Sequence, residues 1–200
     1  MFALIASIRK KMTIIPWHNL GVSLLIMIGG ITTAWAQSAP DKLEVLVETS
    51  ARRLAMARQV AFAKWDAQSQ VEDAAREAEV ITAAVKAGQS RGLDREVVSN
   101  FFRAQIEANK LVQYSLLASW RREGAAPYHQ PIDLSTVREK LDRLQEELIG
   151  ELAETTALRR ETTCHIDTAK AVGKYIAIHK LDDPLLIIAM DRAMAATCTS

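Results

Sequence analysis

Two long cationic side chains stand at a spacing that suits the binding of an anion. Arg53 and Lys64 are eleven residues apart, almost three turns of an α-helix, so on one helix they would share a face about 16 Å apart along the axis. Both have long flexible stems, and their charged ends can therefore lean toward a common point. The spacing favours electrostatic binding of a small anion.

Three further groups of polar residues fall at helical positions. Asp73 and Arg76 are three residues apart and face the same way, which alone predicts only a surface ion pair worth under about 1 kcal/mol. Asn109 and Gln113 are four apart and would offer two amide groups from one face. Arg138 directly follows an apolar position at the start of a later helix. Each alone is typical of a solvated helix surface, and only their combination departs from that interpretation.

The elements that must position these residues are all predicted to be helical. Glycine and proline are sparse, and the long segments between them are rich in Ala, Leu, Glu, Arg and Gln, which favour helix. No segment shows a strand pattern worth defending. We therefore expect an all-α fold, a single bundle of about six helices. The predicted helices are residues 42–65, 71–90, 94–120, 133–152, 164–179 and a last one from 183.

Capping signals and apolar spacing mark the ends and inner faces of these helices. Asp94 is expected to cap the third helix, and either Asp133 or Ser135 the fourth. Asp183 followed by Pro184 is the arrangement expected where the last helix begins. The fourth helix has near-heptad apolar spacing, which predicts a seam that faces the core. That seam consists of Leu134, Val137, Leu141, Leu144, Leu148 and Leu152.

The composition indicates one globular domain without an electrostatic footprint for nucleic acid. The 200 residues are 49% hydrophobic and 24% charged. Residues 1–36 hold three of the 25 basic residues and none of the 24 acidic ones, so residues 37–200 carry 22 basic and 24 acidic side chains, a net charge of −2. We expect no nucleic-acid partner, and any bound anion must be held by a local cluster of cations.

The first 36 residues are typical of a secretory signal peptide. A basic stretch, Arg9-Lys10-Lys11, precedes an apolar run over residues 20–31, and Ala34-Trp35-Ala36 then offers the small-x-small pattern of a cleavage site. Cleavage after Ala36 would leave residues 37–200 as an exported domain that no longer contacts a membrane. An uncleaved membrane anchor is the alternative, although the apolar run is short for a membrane span. Met12 is an alternative start that would discard the basic stretch.

Export changes what the two cysteines indicate. Cys164 and Cys198 both lie near the end of the mature part, and in an oxidising compartment two cysteines favour a disulfide over a reactive thiol. Closing a loop of about 35 residues would contribute roughly 4 kcal/mol in the chain-entropy model. His129, His165 and His179 show no spacing that predicts a metal site, so we expect surface or packing roles and no metal.

The spaced polar residues resemble the active-site pattern of the all-helical chorismate mutases, the AroQ class. The resemblance rests on Arg53, Lys64, Asp73, Arg76, Gln105, Asn109 and Gln113, together with the flanking Trp65, Val71-Glu72, Phe101-Phe102 and Ile106. The signal segment, the added helices and the two late cysteines are similar to its secreted, periplasmic subclass (the gamma subclass). The resemblance covers essentially the whole mature chain.

The resemblance implies the intramolecular Claisen rearrangement of chorismate to prephenate. Arg53 and Arg138 would bind the substrate carboxylates, and Lys64 and Gln113 would donate hydrogen bonds to the ether oxygen that breaks away. Asp73, with Glu77 beside it, would receive the ring hydroxyl. Arg76 and Asn109 would complete the carboxylate site. The resemblance further implies that no cofactor is needed, that one chain supplies its own Arg138, and that a homodimer is possible.

Two positions differ from many relatives, and one rival hypothesis stays open. Many members have Ser or Thr at the position of Asn109, and some have Glu at the position of Gln113. A glutamate must be protonated to donate, whereas an amide donates at any pH, so we predict activity that does not require acidic conditions. The rival is a non-catalytic exported helical binding protein with a degenerate mutase pocket.

Overall fold

The computed structural model describes residues 39–199, with side chains from residue 42. Within these limits the chain folds into seven α-helices and one short 3₁₀-helix, without a strand. The α-helices are α1 Ala39–Ala55, α2 Ala57–Asp66, α3 Ala74–Gln89, α4 Arg95–Glu123, α5 Leu134–Glu154, α6 Cys164–His179 and α7 Pro184–Met194. The predicted all-α bundle is confirmed.

The predicted signal segment, residues 1–36, lies outside the described residues, and its interpretation stays a prediction. Among residues 39–199, no helix combines the length and the apolar character that crossing a membrane requires.

The first predicted helix is divided in two at Met56. The backbone N–H of Met56 donates to the carbonyl oxygen of Arg53 at 3.2 Å, a bond of the tighter three-residue type, and α2 begins after Met56. The side chain of Asn109 on α4 donates to the same carbonyl oxygen at 3.5 Å. The prediction of one helix over 42–65 was therefore wrong, because a tight turn and a tertiary contact interrupt the regular ladder at Arg53.

The division leaves two cations near helix C-termini. Arg53 lies in the last turn of α1 and Lys64 in the last turn of α2. Unsatisfied carbonyl groups make this end of a helix partly negative, which favours a positive side chain there. The two charges are thus supplied by two short helices rather than by one long one.

Aspartate caps fix the starts of four helices. The carboxylate of Asp73 accepts the N–H of Arg76 at 3.1 Å, so α3 begins at Ala74, three residues later than the pattern indicated. The predicted cap at Asp94 is confirmed. Asp133 rather than Ser135 caps α5, and Asp183 with Pro184 begins α7 as predicted.

The core lies where α4 and α1 pack against the other helices. α4 packs on α2, α3 and α7, and α1 packs on α5 and α6. Phe101 and Phe102 are fully buried and meet edge to face with their centroids 5.5 Å apart. Four members of the predicted seam on α5 are buried, namely Val137, Leu144, Leu148 and Leu152. Leu134 and Leu141 of the same seam instead line the pocket described below.

The loop between α4 and α5 is held against α2 by His129. Nε2 of His129 lies 3.0 Å from the carboxylate of Asp66, and Nδ1 lies 2.9 Å from the carbonyl oxygen of Pro127. Its ring stacks on Phe62 with a centroid distance of 4.0 Å. Both ring nitrogens face acceptors, so the doubly protonated imidazolium satisfies both contacts. The hydrogen bonds to Pro127 and Asp66 accordingly raise the pKa of His129.

The C-terminal segment is fastened twice. The predicted disulfide between Cys164 and Cys198 is confirmed, with a Cα–Cα distance of 5.8 Å. The buried guanidinium of Arg159 donates to the carbonyl oxygens of Leu152 and Thr197 at 3.2 and 3.5 Å. The end of the chain is therefore tied both to α6 and to the end of α5.

Candidate active site

A pocket opens between α2, α3, α4 and α5, beside the last turn of α1. All eight side chains that the sequence singled out line it: Arg53, Lys64, Asp73, Arg76, Glu77, Asn109, Gln113 and Arg138. They come from five helices and from the cap of α3. α6 and α7 contribute no residue to its lining.

Arg53 is the most deeply buried cation of the pocket. Only 5% of the residue is exposed, and its side chain forms no ion pair with any residue of the described range. Its Nε atom is buried without an acceptor among those residues. Burial lowers the pKa of Arg53 to about 10, and nearby Asp142 opposes that shift. A buried charge in this condition costs free energy, which a bound anion would offset.

Lys64 reaches the same pocket from α2. Its ammonium group donates to the carbonyl oxygen of Val71, in the turn that leads to α3. Burial lowers the pKa of Lys64, and the carboxylates of Asp73 and Glu77 oppose that shift. An ammonium group has three N–H bonds, so two remain for other acceptors.

Asp73 and Arg76 do not form the simple ion pair that their spacing suggests. The Asp73 carboxylate accepts the backbone N–H of Arg76, while the guanidinium of Arg76 contacts Glu79 at 3.3 Å and Asp142 at 3.2 Å. The backbone N–H of Asp73 in turn donates to Glu77 at 3.4 Å. The ion-pair interpretation was wrong: the carboxylate of Asp73 caps α3, and the guanidinium of Arg76 pairs with Glu79 and Asp142 instead.

Asn109 and Gln113 form a buried pair on α4. Nε2 of Gln113 donates to Oδ1 of Asn109 at 2.7 Å, and Nδ2 of Asn109 donates to the carbonyl oxygen of Arg53. Both polar atoms of the Asn109 side chain are therefore engaged inside the protein. Oε1 of Gln113 is buried without a partner among the described residues. Asn109 thus fixes the direction of the Gln113 amide.

Arg138 lies near the start of α5, whose first residue is Leu134. Its side chain is exposed and makes no ion pair within residues 42–199. The N-terminal end of a helix is partly positive, so the position adds to the cationic character of this side of the pocket. Arg138 and Arg53 thus provide two guanidinium groups from opposite ends of different helices, and neither forms an ion pair with a described carboxylate.

Comparison with known proteins decides the family. The sequence profile of chorismate mutase type II matches residues 44–114. The secreted chorismate mutase of Mycolicibacterium smegmatis is 30% identical over 176 residues, which cover 87% of this chain and 96% of that protein. The secreted chorismate mutase of Mycobacterium tuberculosis is 30% identical over 142 residues, 71% of each chain. The chain belongs to the chorismate mutase family.

Solved structures agree with this assignment to the all-helical class. The chorismate mutase of Burkholderia phymatum is 40% identical with a TM-score of 0.77, over 82% of this chain and 100% of that one. The chorismate mutase of Burkholderia thailandensis is 32% identical with a TM-score of 0.74, over 78% of this chain and 99% of that one. This mutase therefore shares its bundle with almost the whole length of each of the two solved chains.

Lys110 is a cation of this pocket that sequence reasoning missed. Its ammonium group lies 2.8 Å from Glu72, 2.8 Å from Glu107 and 3.3 Å from Glu77. Burial lowers the pKa of Lys110, but the hydrogen bonds to Glu107 and Glu72 outweigh it and leave the pKa raised. The i, i+3 spacing from Glu107 was readable, but the contacts to Glu72 and Glu77 exist only in the folded chain.

Two residues of α5 were missed as well. Asp142 and Gln145 follow Arg138 by four and seven residues, the spacing of one helical face, and all three line the pocket. Gln145 is only 6% exposed, and its amide makes no hydrogen bond with a described residue. The i, i+4, i+7 spacing of these three polar residues was readable from the sequence. The stronger apolar seam on the same helix led to an interpretation of α5 as a core helix instead.

The charges that line the pocket sum to the opposite of a dianion. Five cationic and three carboxylate side chains give a net charge of +2. The cations are Arg53, Lys64, Arg76, Lys110 and Arg138, and the carboxylates are Asp73, Glu77 and Asp142. A protein whose mature part is nearly neutral thus concentrates positive charge in one place.

Proposed function

We propose that this pocket binds chorismate and converts it to prephenate by restraining its conformation and stabilising charge on the breaking ether oxygen. The observation that carries the proposal is the buried guanidinium of Arg53, which has no carboxylate partner within the described range and lies in one pocket with Lys64 and Gln113. A bound anion would offset the free-energy cost of burying this cation.

The reaction asks for positioning and electrostatics rather than for a nucleophile or a base. One C–O bond breaks while one C–C bond forms within the same molecule, and no proton moves. The substrate is a flexible dianion that must first adopt a compact conformer. Holding it there removes conformational freedom before the reaction, and aligned donors stabilise the negative charge that develops on the ether oxygen.

Arg53 and Arg138 bind the two carboxylates in this proposal. A guanidinium can form two parallel charge-assisted hydrogen bonds to a carboxylate, which fixes both its position and its orientation. Neither guanidinium is paired with a carboxylate of residues 42–199, so no internal ion pair must first be broken. Because both come from one chain, a single subunit supplies the whole site. A homodimer stays a prediction.

Lys64 and Gln113 donate hydrogen bonds to the ether oxygen in this proposal. After the bond to Val71, the ammonium group of Lys64 keeps two N–H bonds, and the amide of Gln113 keeps one after its bond to Asn109. Asn109 then acts through Gln113 by directing its amide. Asp73, whose capping bond uses Oδ1, receives the ring hydroxyl with Glu77 beside it, and Arg76 completes the carboxylate site.

An exported location accompanies this function. The relatives are named secreted chorismate mutases, and the disulfide between Cys164 and Cys198 suits an oxidising compartment. The chain is therefore assigned to the periplasm or the outside of the cell. Cleavage after Ala36 and a mature domain of residues 37–200 belong to the same proposal.

The test follows the ultraviolet absorbance of chorismate with mature protein. Arg53→Ala and Lys64→Ala are expected to lower kcat/KM by at least roughly a hundredfold, because each removes a preorganised charge or donor. Arg52→Ala is the matched control: Arg52 is half-exposed, adjacent to Arg53, and pairs with Glu147 outside the pocket. Normal turnover by both pocket variants would contradict the site. Binding of chorismate by the wild type without turnover would favour the degenerate binding protein.

A further inference from the structure

The carboxylate of Asp142 faces the anion-binding side of the pocket. It lies 3.2 Å from Nη2 of Arg76, and its charge also acts on Arg53. Asp142 is on α5 and Arg76 is on α3, so this ion pair bridges two helices. A negative side chain at this place is unexpected in a pocket that must admit a dianion.

The other two carboxylates of the pocket have separate tasks. Asp73 caps α3, and Glu77 contacts both Lys110 and the backbone N–H of Asp73. Asp142 caps no helix and makes no second hydrogen bond among the described residues, and its side chain is 58% exposed. It is thus the carboxylate that can turn away into solvent without breaking a helix.

The ion pair stands at the border between the pocket and a second depression. This outer groove, between α3 and α5, includes Glu79, Arg143 and Glu146. Four residues line both the pocket and the outer groove: Arg76, Val80, Asp142 and Gln145. A turned-away Asp142 therefore has open space beside it, and Arg76 keeps its other contact to Glu79.

We propose that Asp142 is a positioning residue that holds the guanidinium of Arg76 in the empty pocket and gives it up to a ligand carboxylate. This rests on the proposed function, since it assigns a step to the same site. A substrate carboxylate replaces Asp142 at Nη2 of Arg76, and Asp142 takes the position back when the product leaves. Substrate and product are both dianions, so the competition weakens their binding alike.

A group that weakens ground-state and transition-state binding equally changes KM without raising kcat. Removing the charge in Asp142→Asn is expected to lower KM for chorismate and the inhibition constant of prephenate by roughly two- to fivefold each, the range of an exposed ion pair. kcat stays unchanged, or falls where the more tightly bound product limits turnover. A residue with a merely structural role would not lower both constants together.

The control and the second variant come from the same helix. Glu154→Gln removes another exposed carboxylate of α5, one that lines neither the pocket nor the outer groove, and it should leave both constants near wild type. Asp142→Ala should repeat the effect of Asp142→Asn, and Asp142→Glu should restore the wild-type constants. Circular dichroism checks that each variant keeps its helices.

The outcomes separate this inference from the function on which it rests. Wild-type protein that does not convert chorismate would overturn the proposed function itself. Wild-type turnover together with an unchanged or raised KM in both Asp142→Asn and Asp142→Ala would overturn the role of Asp142 alone. A raised KM would mean that Asp142 instead orients Arg76 for the substrate.

Discussion

The amide nitrogen of Gln113 donates a 2.7 Å hydrogen bond to the side-chain oxygen of Asn109, one helical turn earlier in the buried face of α4. The same Asn109 side chain reaches the carbonyl oxygen of Arg53, where α1 ends. Three proposed site residues on two helices are therefore joined by two hydrogen bonds. The direction of the Gln113 amide is set before any ligand arrives.

This relationship predicts how Gln113→Glu will behave. A protonated glutamic acid has one O–H, which cannot serve both Asn109 and the ether oxygen, and an ionised one has no donor at all. We expect kcat/KM to fall at every pH and to fall further as pH rises through the pKa of the new carboxyl. Rate measurements between about pH 5 and pH 8, where a raised carboxyl pKa titrates, provide the check. The wild-type rate should stay level over this range, and a steep decline there would contradict the donor role of the amide.

Arg53→Met should separate activity from stability. The variant is expected to lose at least roughly a hundredfold in kcat/KM, because a carboxylate loses its guanidinium partner. Replacing a buried ion pair by apolar side chains is often neutral or stabilising by about 1–4 kcal/mol. Arg53 pairs with no carboxylate of the described residues, so its replacement leaves no buried partner uncompensated and the free energy of unfolding should not decrease. Thermal unfolding of the ligand-free protein measures the second effect.

Arg159→Met is the matched control for Arg53→Met. Arg159 is also buried, but its guanidinium donates to two backbone carbonyl oxygens, and removing it leaves them without that donor. The free energy of unfolding of Arg159→Met should fall by about 1–3 kcal/mol, and its KM should stay at the wild-type value. If Arg53→Met loses as much stability as Arg159→Met, then the guanidinium of Arg53 has a structural partner inside the protein. That result would contradict its role in binding an anion.

Reduction of the disulfide should affect stability and leave the site intact. Opening the bond between Cys164 and Cys198 lengthens the free chain of the unfolded state and should cost roughly 2–4 kcal/mol. KM at room temperature should not change, because no residue of α6 or α7 lines the pocket. Denaturant unfolding with and without reductant measures the loss of unfolding free energy. The double variant Cys164→Ala/Cys198→Ala should be as stable as the reduced protein. A changed KM in that double variant would show that the last helices shape the pocket.

His129 predicts a pH dependence of stability with a definite sign. Its pKa is raised above 6.5 in the folded protein, so its contribution is fully present below pH 6.5 and is lost as pH rises through the raised value. The wild type should therefore be more stable than His129→Leu at pH 5.5, by a margin that shrinks at pH 8.5. Thermal unfolding at both values checks this, with the exposed His165 as the control position. An equal margin at both pH values would mean that ring stacking on Phe62, not charge, holds the loop.

Helix content and most helix ends were predictable because they follow from local rules. Asp94 and the Asp183-Pro184 pair mark helix starts through side chains that act within one turn. The break at Met56 was not predictable, since its surroundings involve Asn109 on another helix, 53 positions away. The start of α3 was missed because Asp73 was interpreted as a site residue and not as a cap.

The sequence by itself determined the class of the fold, the spacing of eight polar residues along the chain and, through two cysteines, a covalent tie near the C-terminus. These are properties of short range or of plain residue count. Only the tertiary structure decided that the eight meet in one pocket, that Arg53 is buried there without an ion pair to a carboxylate of residues 42–199, and that Lys110 and Asp142 join them. Burial and ion pairing depend on which helices pack against each other. The spacing of residues along one helix does not determine which side chains a second helix places beside them.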